Sequence, residues 1–191
     1  MLELKKELEK IKGSFSRISE IVYQTPVLSS ISINKALKAD ITFKAECLQE
    51  TGSFKLRGAS SAISVLSKEE KSRGVVAFSS GNHAQGIAYA SRELGTSAKI
   101  VMPSDAPKIK IWKTQEYGAE VIFYDRDEDN REEIGFSIAM EEGRKLIKPF
   151  DDLNVIYGQG TAALEVMDEV DTKFDMSVVC CSGGGLSLIH I

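Results

Sequence analysis

The 191-residue sequence is short of several residue types, and each shortage narrows what the protein does. Only two histidines occur, His83 and His190, too far apart for metal-ligand spacing, so metal catalysis finds no support. The three cysteines, Cys47, Cys180 and Cys181, include no C-x-x-C pair of the zinc or thioredoxin-like kind. Such a set is read as reduced thiols, mostly buried. No run of 18 apolar residues is present, and residues 1–12 alternate charged with apolar side chains where a signal peptide needs a continuous apolar stretch. A cytoplasmic protein with no membrane partner is expected. A basic excess is missing too: 24 Lys and Arg against 28 Asp and Glu leave a net charge of −4, which speaks against nucleic acid as a partner. No G-x-S-x-G elbow marks a serine hydrolase, and no internal repeat or low-complexity tract is visible.

What is present has the proportions of a globular protein, 42% hydrophobic and 27% charged, with 15 glycines bringing the apolar share to about half. The length allows one full domain, or one and a part, around a sizeable core. An opening charged helix, read as solvated, and a second helix over 16–23 precede Thr25-Pro26. Short runs rich in β-branched or aromatic residues then follow at 41–45, 75–78, 98–102, 120–124 and 176–180. Between them, 56–66, 83–94, 108–117, 132–146 and 161–170 have helical spacing. This alternation calls for an α/β fold with a parallel sheet and crossover helices. Gly95, Gly118 and Gly143 stand where left-handed caps would end three helices, although Gly143 also reads as an interruption within its helix. Residues 125–133 hold six acids and two arginines, a net −4 that suits a solvated loop and helix start.

Ligands of a parallel α/β sheet gather at the carboxyl ends of its strands, and three turns there carry unusual residues. Gly183-Gly184-Gly185 is either a tight structural turn or a ring of backbone N–H groups suited to a phosphate. It is not the dinucleotide fingerprint, which needs glycine where Leu188 stands; the P-loop spacing of Gly81 and Gly86 is followed by Ile87 in place of lysine. Ser80-Gly81-Asn82-His83 opens a helix and is either an ordinary N-cap or a carboxylate cradle. Lys55 lies between Phe54 and Leu56 in the first turn of a helix. Most lysines are solvated. Partial burial and the positive helix end would disfavour this ammonium and leave the neutral amine that Schiff-base chemistry requires. A lysine nucleophile, an anion cradle and a carboxylate cradle together describe pyridoxal phosphate holding an amino acid.

At these residues the sequence resembles the fold-type II pyridoxal-phosphate enzymes, in particular the threonine/serine dehydratase and serine racemase group. The likeness runs from Thr25-Pro26-Val27 through Glu46, residues 52–59 and 79–86, Val101-Met102-Pro103, Tyr117-Gly118-Ala119 and residues 158–161 to Gly183-Gly184-Gly185-Leu186. It implies two open, mainly parallel sheets flanked by helices, with the C-terminal part missing. Residues 1–72 would begin a large cofactor domain, 73–151 form a small inserted domain, and 152–191 resume the large domain and stop after the phosphate loop. Position by position, the resemblance implies that Lys55 carries pyridoxal 5′-phosphate, that Phe54 flanks its ring and Asn82 its 3′-oxygen, and that Gly183, Gly184, Gly185 and Leu186 bind its phosphate. Ser80, Gly81, Asn82 and His83 would receive the substrate carboxylate, and Arg131 matches a substrate-facing arginine of the racemases.

The implied reaction is an α,β-elimination in which Lys55 removes the Cα proton and the β-hydroxyl leaves, turning L-threonine or L-serine into a 2-oxo acid and ammonia. In a racemase, Ser80 on the opposite ring face would return the proton. Tyr124-Asp125-Arg126 and Asn130-Arg131-Glu132 are similar to segments of threo-3-hydroxyaspartate ammonia-lyases, whose second carboxylate Arg126 or Arg131 would hold by a charge-assisted fork. A reading of another class is a non-catalytic α/β module that binds an amino acid or a phosphorylated metabolite. The resemblance also implies a homodimer and, in racemase-like members, a divalent cation held outside these residues. Residues 187–191 depart from the family pattern, so an inactive fragment with a non-native end is expected.

Overall fold

The computed structural model describes residues 2–171 and 173–187, so Leu188, His190 and most of the segment 187–191 lie outside the described residues. In chain order these form α1 (Leu2–Ile18), β1 (Val27–Ser29), α2 (Ile31–Leu37), β2 (Thr42–Lys44), α3 (Lys55–Ser64), α4 (Lys68–Arg73) and β3 (Val75–Phe78). There follow α5 (Asn82–Glu93), β4 (Ala98–Pro103), α6 (Lys108–Glu116), β5 (Glu120–Tyr124), α7 (Arg131–Glu142), β6 (Lys145–Leu146) and α8 (Leu153–Glu169). The class is α/β, with a parallel sheet in the order β5-β4-β3-β6. All four residues of β3 are buried, because helices cover both faces of the sheet, and for that reason it reads as an unbroken apolar run. Ala77, Ile100 and Met102 pack on Ala84, Ile87 and Ala88 of α5. Val76, Phe78, Val101 and Tyr124 pack on Ile134 and Ile138 of α7. No helix among the described residues is long and apolar enough to cross a membrane.

Several elements differ from the sequence expectation, each for a physical reason. Residues 42–44 do form a strand, but it pairs antiparallel with β1, Val27 opposite Lys44, so the second sheet is a two-stranded antiparallel ribbon. Residues 176–180 form no strand. They have no hydrogen-bonded neighbour among the described residues, and Met176 and Val178 are 78% and 88% exposed, so the apolar run gains neither ladder bonds nor burial. A separate helix at 16–23 is replaced by the unbroken α1, whose Ile11, Ser14 and Ile18 are buried. Ser14 Oγ meets Ser61 Oγ of α3 at 2.7 Å, so the opening helix is docked along one side rather than solvated all round. Gly143, at φ +65°, ends α7 and frees Lys145–Leu146 to join the sheet as β6, where helix to 146 was expected. Gly95 and Gly118 take the anticipated positive φ. Asp152 starts α8 well before residue 161 by accepting from Asn154 N at 2.8 Å; Gly158 and Gly160 lower helix propensity there, but burial overrides them. Helix α4, unforeseen, is opened by a capping box between Ser67 and Glu70. All three cysteines are exposed, Cys47 on a single 3-10 turn and the other two in or beside the unpaired run at 176–180.

Helix α3 is pressed from two sides. A Cβ on Gly158 of α8 would strike the Arg57 carbonyl oxygen and lie 2.6 Å from Gly58 Cα; one on Gly86 of α5 would lie 3.1 Å from the Lys55 carbonyl oxygen. Arg57 is fully buried here, donating to both Glu165 oxygens at 2.6 and 2.7 Å and to both Glu46 oxygens at 2.8 Å. Lys44 adds a 2.7 Å ion pair to Glu165. The forks supply the partners without which a buried guanidinium is costly. Gly158→Ala is expected to lower stability by about 1–3 kcal/mol, since the overpacked atom is backbone that cannot swing away. Gly13→Ala, whose nearest neighbour is an arginine tip at 3.5 Å, should be neutral or stabilising. Urea unfolding followed by circular dichroism checks both, and equal midpoints for the two variants would refute the close approach of α3 and α8.

Candidate active site

The turn at 79–83 sits at the carboxyl end of β3. Helix α5 begins at Asn82 with Gly81 as its cap, and no side chain accepts from its first amides. Ser79 Oγ instead accepts from Gly81 N at 3.2 Å. Neither Ser80 nor Asn82 therefore serves as an ordinary capping side chain, and the open N–H groups with the positive end of the helix dipole suit an anion. His83 is buried, with Nε2 at 3.2 Å from the Ile147 carbonyl oxygen and Nδ1 without a partner among the described residues. Facing a carbonyl, Nε2 carries the proton, which leaves Nδ1 as an acceptor. Burial pushes the imidazole down to about 4, against the raising effect of the Ile147 carbonyl, and the Lys55 charge pushes it further down.

Lys55 is the first residue of α3. Its Nζ donates to the Pro149 carbonyl oxygen at 2.7 Å and lies 5.3 Å from the centre of the Phe54 ring. Burial holds this amine below its ordinary value, the direction required of a nucleophile or base near neutral pH. The hydroxyls of Thr51 and Ser53, in the turn leading to Lys55, are buried without partners. Gly86 allows α5 to lie against Lys55 and so brings this turn beside that of Ser80–His83.

The third turn reaches the same place through Phe150. A Cβ on Gly183 would strike the Phe150 ring, and one on Gly185 would lie 3.0 Å from Phe150 Cα; Gly184 has φ +87°. Leu186 closes this turn, half-buried. The segment 147–150 that follows β6 thus touches all three turns: Ile147 holds His83, Pro149 holds Lys55, and Phe150 packs on the glycines. Sequence reasoning missed this segment, because a carbonyl acceptor carries no residue signature.

The two arginines separate. Arg126 is exposed and pairs with Asp105 at 2.7 Å. Arg131, the first residue of α7, lies 5.6 Å over the Phe78 ring, next to the 79–83 turn, and has no ion pair among the described residues. Both line a cleft of about 430 Å³ with Tyr124, Asp129 and Asn130. A depressed lysine amine, an uncapped helix start, a glycine turn and orphaned polar atoms fit a phosphorylated aldehyde cofactor with an amino acid beside it.

Comparison with known proteins agrees with this chemistry. Residues 18–188 match the family model described as pyridoxal-phosphate dependent enzyme. The L-threo-3-hydroxyaspartate ammonia-lyase of Saccharomyces cerevisiae is 50% identical over 171 residues, covering 90% of this chain and 52% of that protein. The L-threonine ammonia-lyase of Thermotoga maritima is 43% identical over 179 residues, covering 94% of this chain and 44% of that protein. Among solved structures, maize serine racemase superposes with a TM-score of 0.92 at 40% identity, over 95% of this chain and 55% of that one. The chain spans about half the length of the relatives it matches.

The buried His83 generates a pH prediction. Its imidazole takes up a proton at about 4 in the folded protein and near 6.5 when unfolded, so the unfolded state binds the proton first as pH falls. The contribution is complete above about pH 6.5 and is lost as pH drops through 4, a loss on the order of 3 kcal/mol. Ring titration by NMR together with urea midpoints at pH 7, 5 and 4 checks this. An imidazole midpoint above 6 in the folded chain would contradict it.

Proposed function

Because the chain belongs to the pyridoxal-phosphate dependent enzymes, we propose that it carries the reacting groups of an ammonia-lyase that converts L-threonine and L-serine to 2-oxo acids and ammonia by α,β-elimination. The observation that carries this reading is Lys55 Nζ, lowered by burial and held at 2.7 Å from Pro149 beside the uncapped start of α5. When bound, the cofactor draws electrons from Cα and so lowers the cost of removing its proton. Phe54 and Asn82 flank its ring, and the 183–186 turn holds its phosphate. The amides of Ser80, Gly81, Asn82 and His83 receive the substrate carboxylate. Lys55 Nζ, released from Pro149, accepts the Cα proton; its neutral form has the lone pair for that task. The β-hydroxyl takes up the proton that Lys55 had accepted and departs as water, and the enamine that is released is hydrolysed by a second water to the 2-oxo acid and ammonia. Ser80 Oγ is the proton carrier on the other side, so a racemase activity needs no further residue of this chain. Residues 1–72 and 152–191 belong in this reading to the cofactor domain and 73–151 to the small domain, a division supported by β3 to β6 all falling within the latter. A homodimer, a cytoplasmic location and a divalent cation bound by other residues complete it.

A second reading, threo-3-hydroxyaspartate as substrate, is favoured by Arg131. Asp105 neutralises Arg126, whereas Arg131 has no ion pair among the described residues and lies over Phe78 next to the carboxylate turn, and the yeast relative is named for that activity. Release of 2-oxo acid from threonine, serine and threo-3-hydroxyaspartate, measured side by side, separates the two. Lys55→Ala is expected to abolish the visible absorbance of bound cofactor; a band that survives would overturn the role of Lys55. Arg131→Ala should cut only the hydroxyaspartate reaction, by about ten- to a hundredfold, the worth of one charge-assisted hydrogen bond. Equal loss on all three substrates would remove Arg131 as the second-carboxylate ligand, and cofactor binding with no turnover would favour a non-catalytic module.

A further inference from the structure

We propose that Lys110 is the cation of the Ser80–His83 turn and pairs with the carboxylate shared by all amino-acid ligands, an inference that rests on the reading above and extends it to a residue outside the three turns. Helix α6 begins behind Pro107 with Lys108 and Lys110 in its first turn and no acid there. Positive charge at this end opposes the helix dipole, so a lysine here gains nothing from its own helix. Its side chain runs instead along the neighbouring turn: a Cβ on Gly81 would lie 2.7 Å from Lys110 Nζ and 3.2 Å from its Cδ. Glycine at 81 leaves the space that the lysine stem fills. Lys110 is half-buried, and its amine has neither a hydrogen bond nor an ion pair among the described residues.

The surroundings say what is missing. Among the described residues, the first amides of α5 have no side-chain acceptor and the amine beside them has no anion. A carboxylate at Gly81 satisfies both, with the ammonium acting as a compact charge and the amides fixing direction. In the same turn, His83 Nδ1 is an unpartnered acceptor on a side chain that is 2% exposed, which calls for a donor. An amino acid brings both a carboxylate and donors, whereas a simple fatty acid, ionised at neutral pH, brings only the carboxylate. Arg131 lies over Phe78, so the two cations divide the work, Lys110 on the carboxylate common to every substrate and Arg131 on a second one.

The cofactor-free chain, labelled with ¹⁵N and titrated with malonate, tests this directly. In the wild type the amide signals of Gly81 and Asn82 should move, and Lys110→Gln should raise the Kd about tenfold, as expected for one charge-assisted hydrogen bond. Lys108→Gln, an exposed charge on the same helix, should leave it unchanged. A Lys110→Gln Kd within twofold of the wild type, or malonate shifts that bypass Gly81, would overturn the assignment. In cofactor-loaded protein Lys110→Gln should weaken threonine, serine and hydroxyaspartate alike. Failure of the ammonia-lyase reading would show as a missing cofactor band, and the malonate titration decides Lys110 in either case.

Discussion

Gly58 and Gly158 meet where α3 crosses α8, and Gly86 meets the Lys55 carbonyl where α3 passes α5; none of these contacts has room for a side chain. Helix α3 is therefore held by backbone on both sides, and its position sets that of Lys55. The charge of Arg57 reinforces the clamp. With its guanidinium fully buried, both Glu46 and Glu165 must stay in place, because removing either leaves an uncompensated charge in a low dielectric. A shift of α3 by even part of an ångström would break these forks, so a lysine two residues away inherits their rigidity.

The electrostatics of the site follow from the same packing. Burial removes water from Lys55 and His83 and disfavours the charged form of each, and the proximity of the lysine charge lowers the imidazole further. Two backbone carbonyls, of Ile147 and Pro149, take the hydrogen bonds that water would otherwise supply. A neutral imidazole and an amine biased toward neutrality leave the uncapped start of α5 and the Lys110 ammonium as the positive features of the 79–83 turn. In the proposed reaction, proton acceptance and anion binding thereby fall to different groups in one small volume.

Much of this could be read before folding. The strands 75–78 and 98–103 announce themselves because helices cover both faces of the sheet there and apolar residues suit that environment, whereas 120–124, an edge strand with Glu120 and Phe123 exposed, is legible from its β-branched and aromatic residues. The positive φ of Gly95 and Gly118 follows from local backbone rules. Lys55 and the turns at 79–83 and 183–186 stand out as motifs of consecutive residues. Local rules did not reach the antiparallel pairing of β2 with β1, whose partner is three residues long, or the missing strand at 176–180, whose apolar character has no neighbour to bind. The cysteines came out exposed for a related reason: burial depends on what covers a segment, not on the thiol.

Sequence by itself determined the α/β class, the position and residue content of the three turns and the family resemblance, since periodicity, caps and motifs are properties of neighbouring residues. Tertiary structure alone decided which groups serve those turns. Lys110 comes to Gly81 from another helix, Arg131 has no ion pair among the described residues while Asp105 occupies Arg126, and the 147–150 segment joins Lys55, His83 and the glycines from more than sixty residues away in the case of His83. Contacts of that kind depend on how elements pack, and packing is settled by the whole core at once rather than by any stretch of the chain.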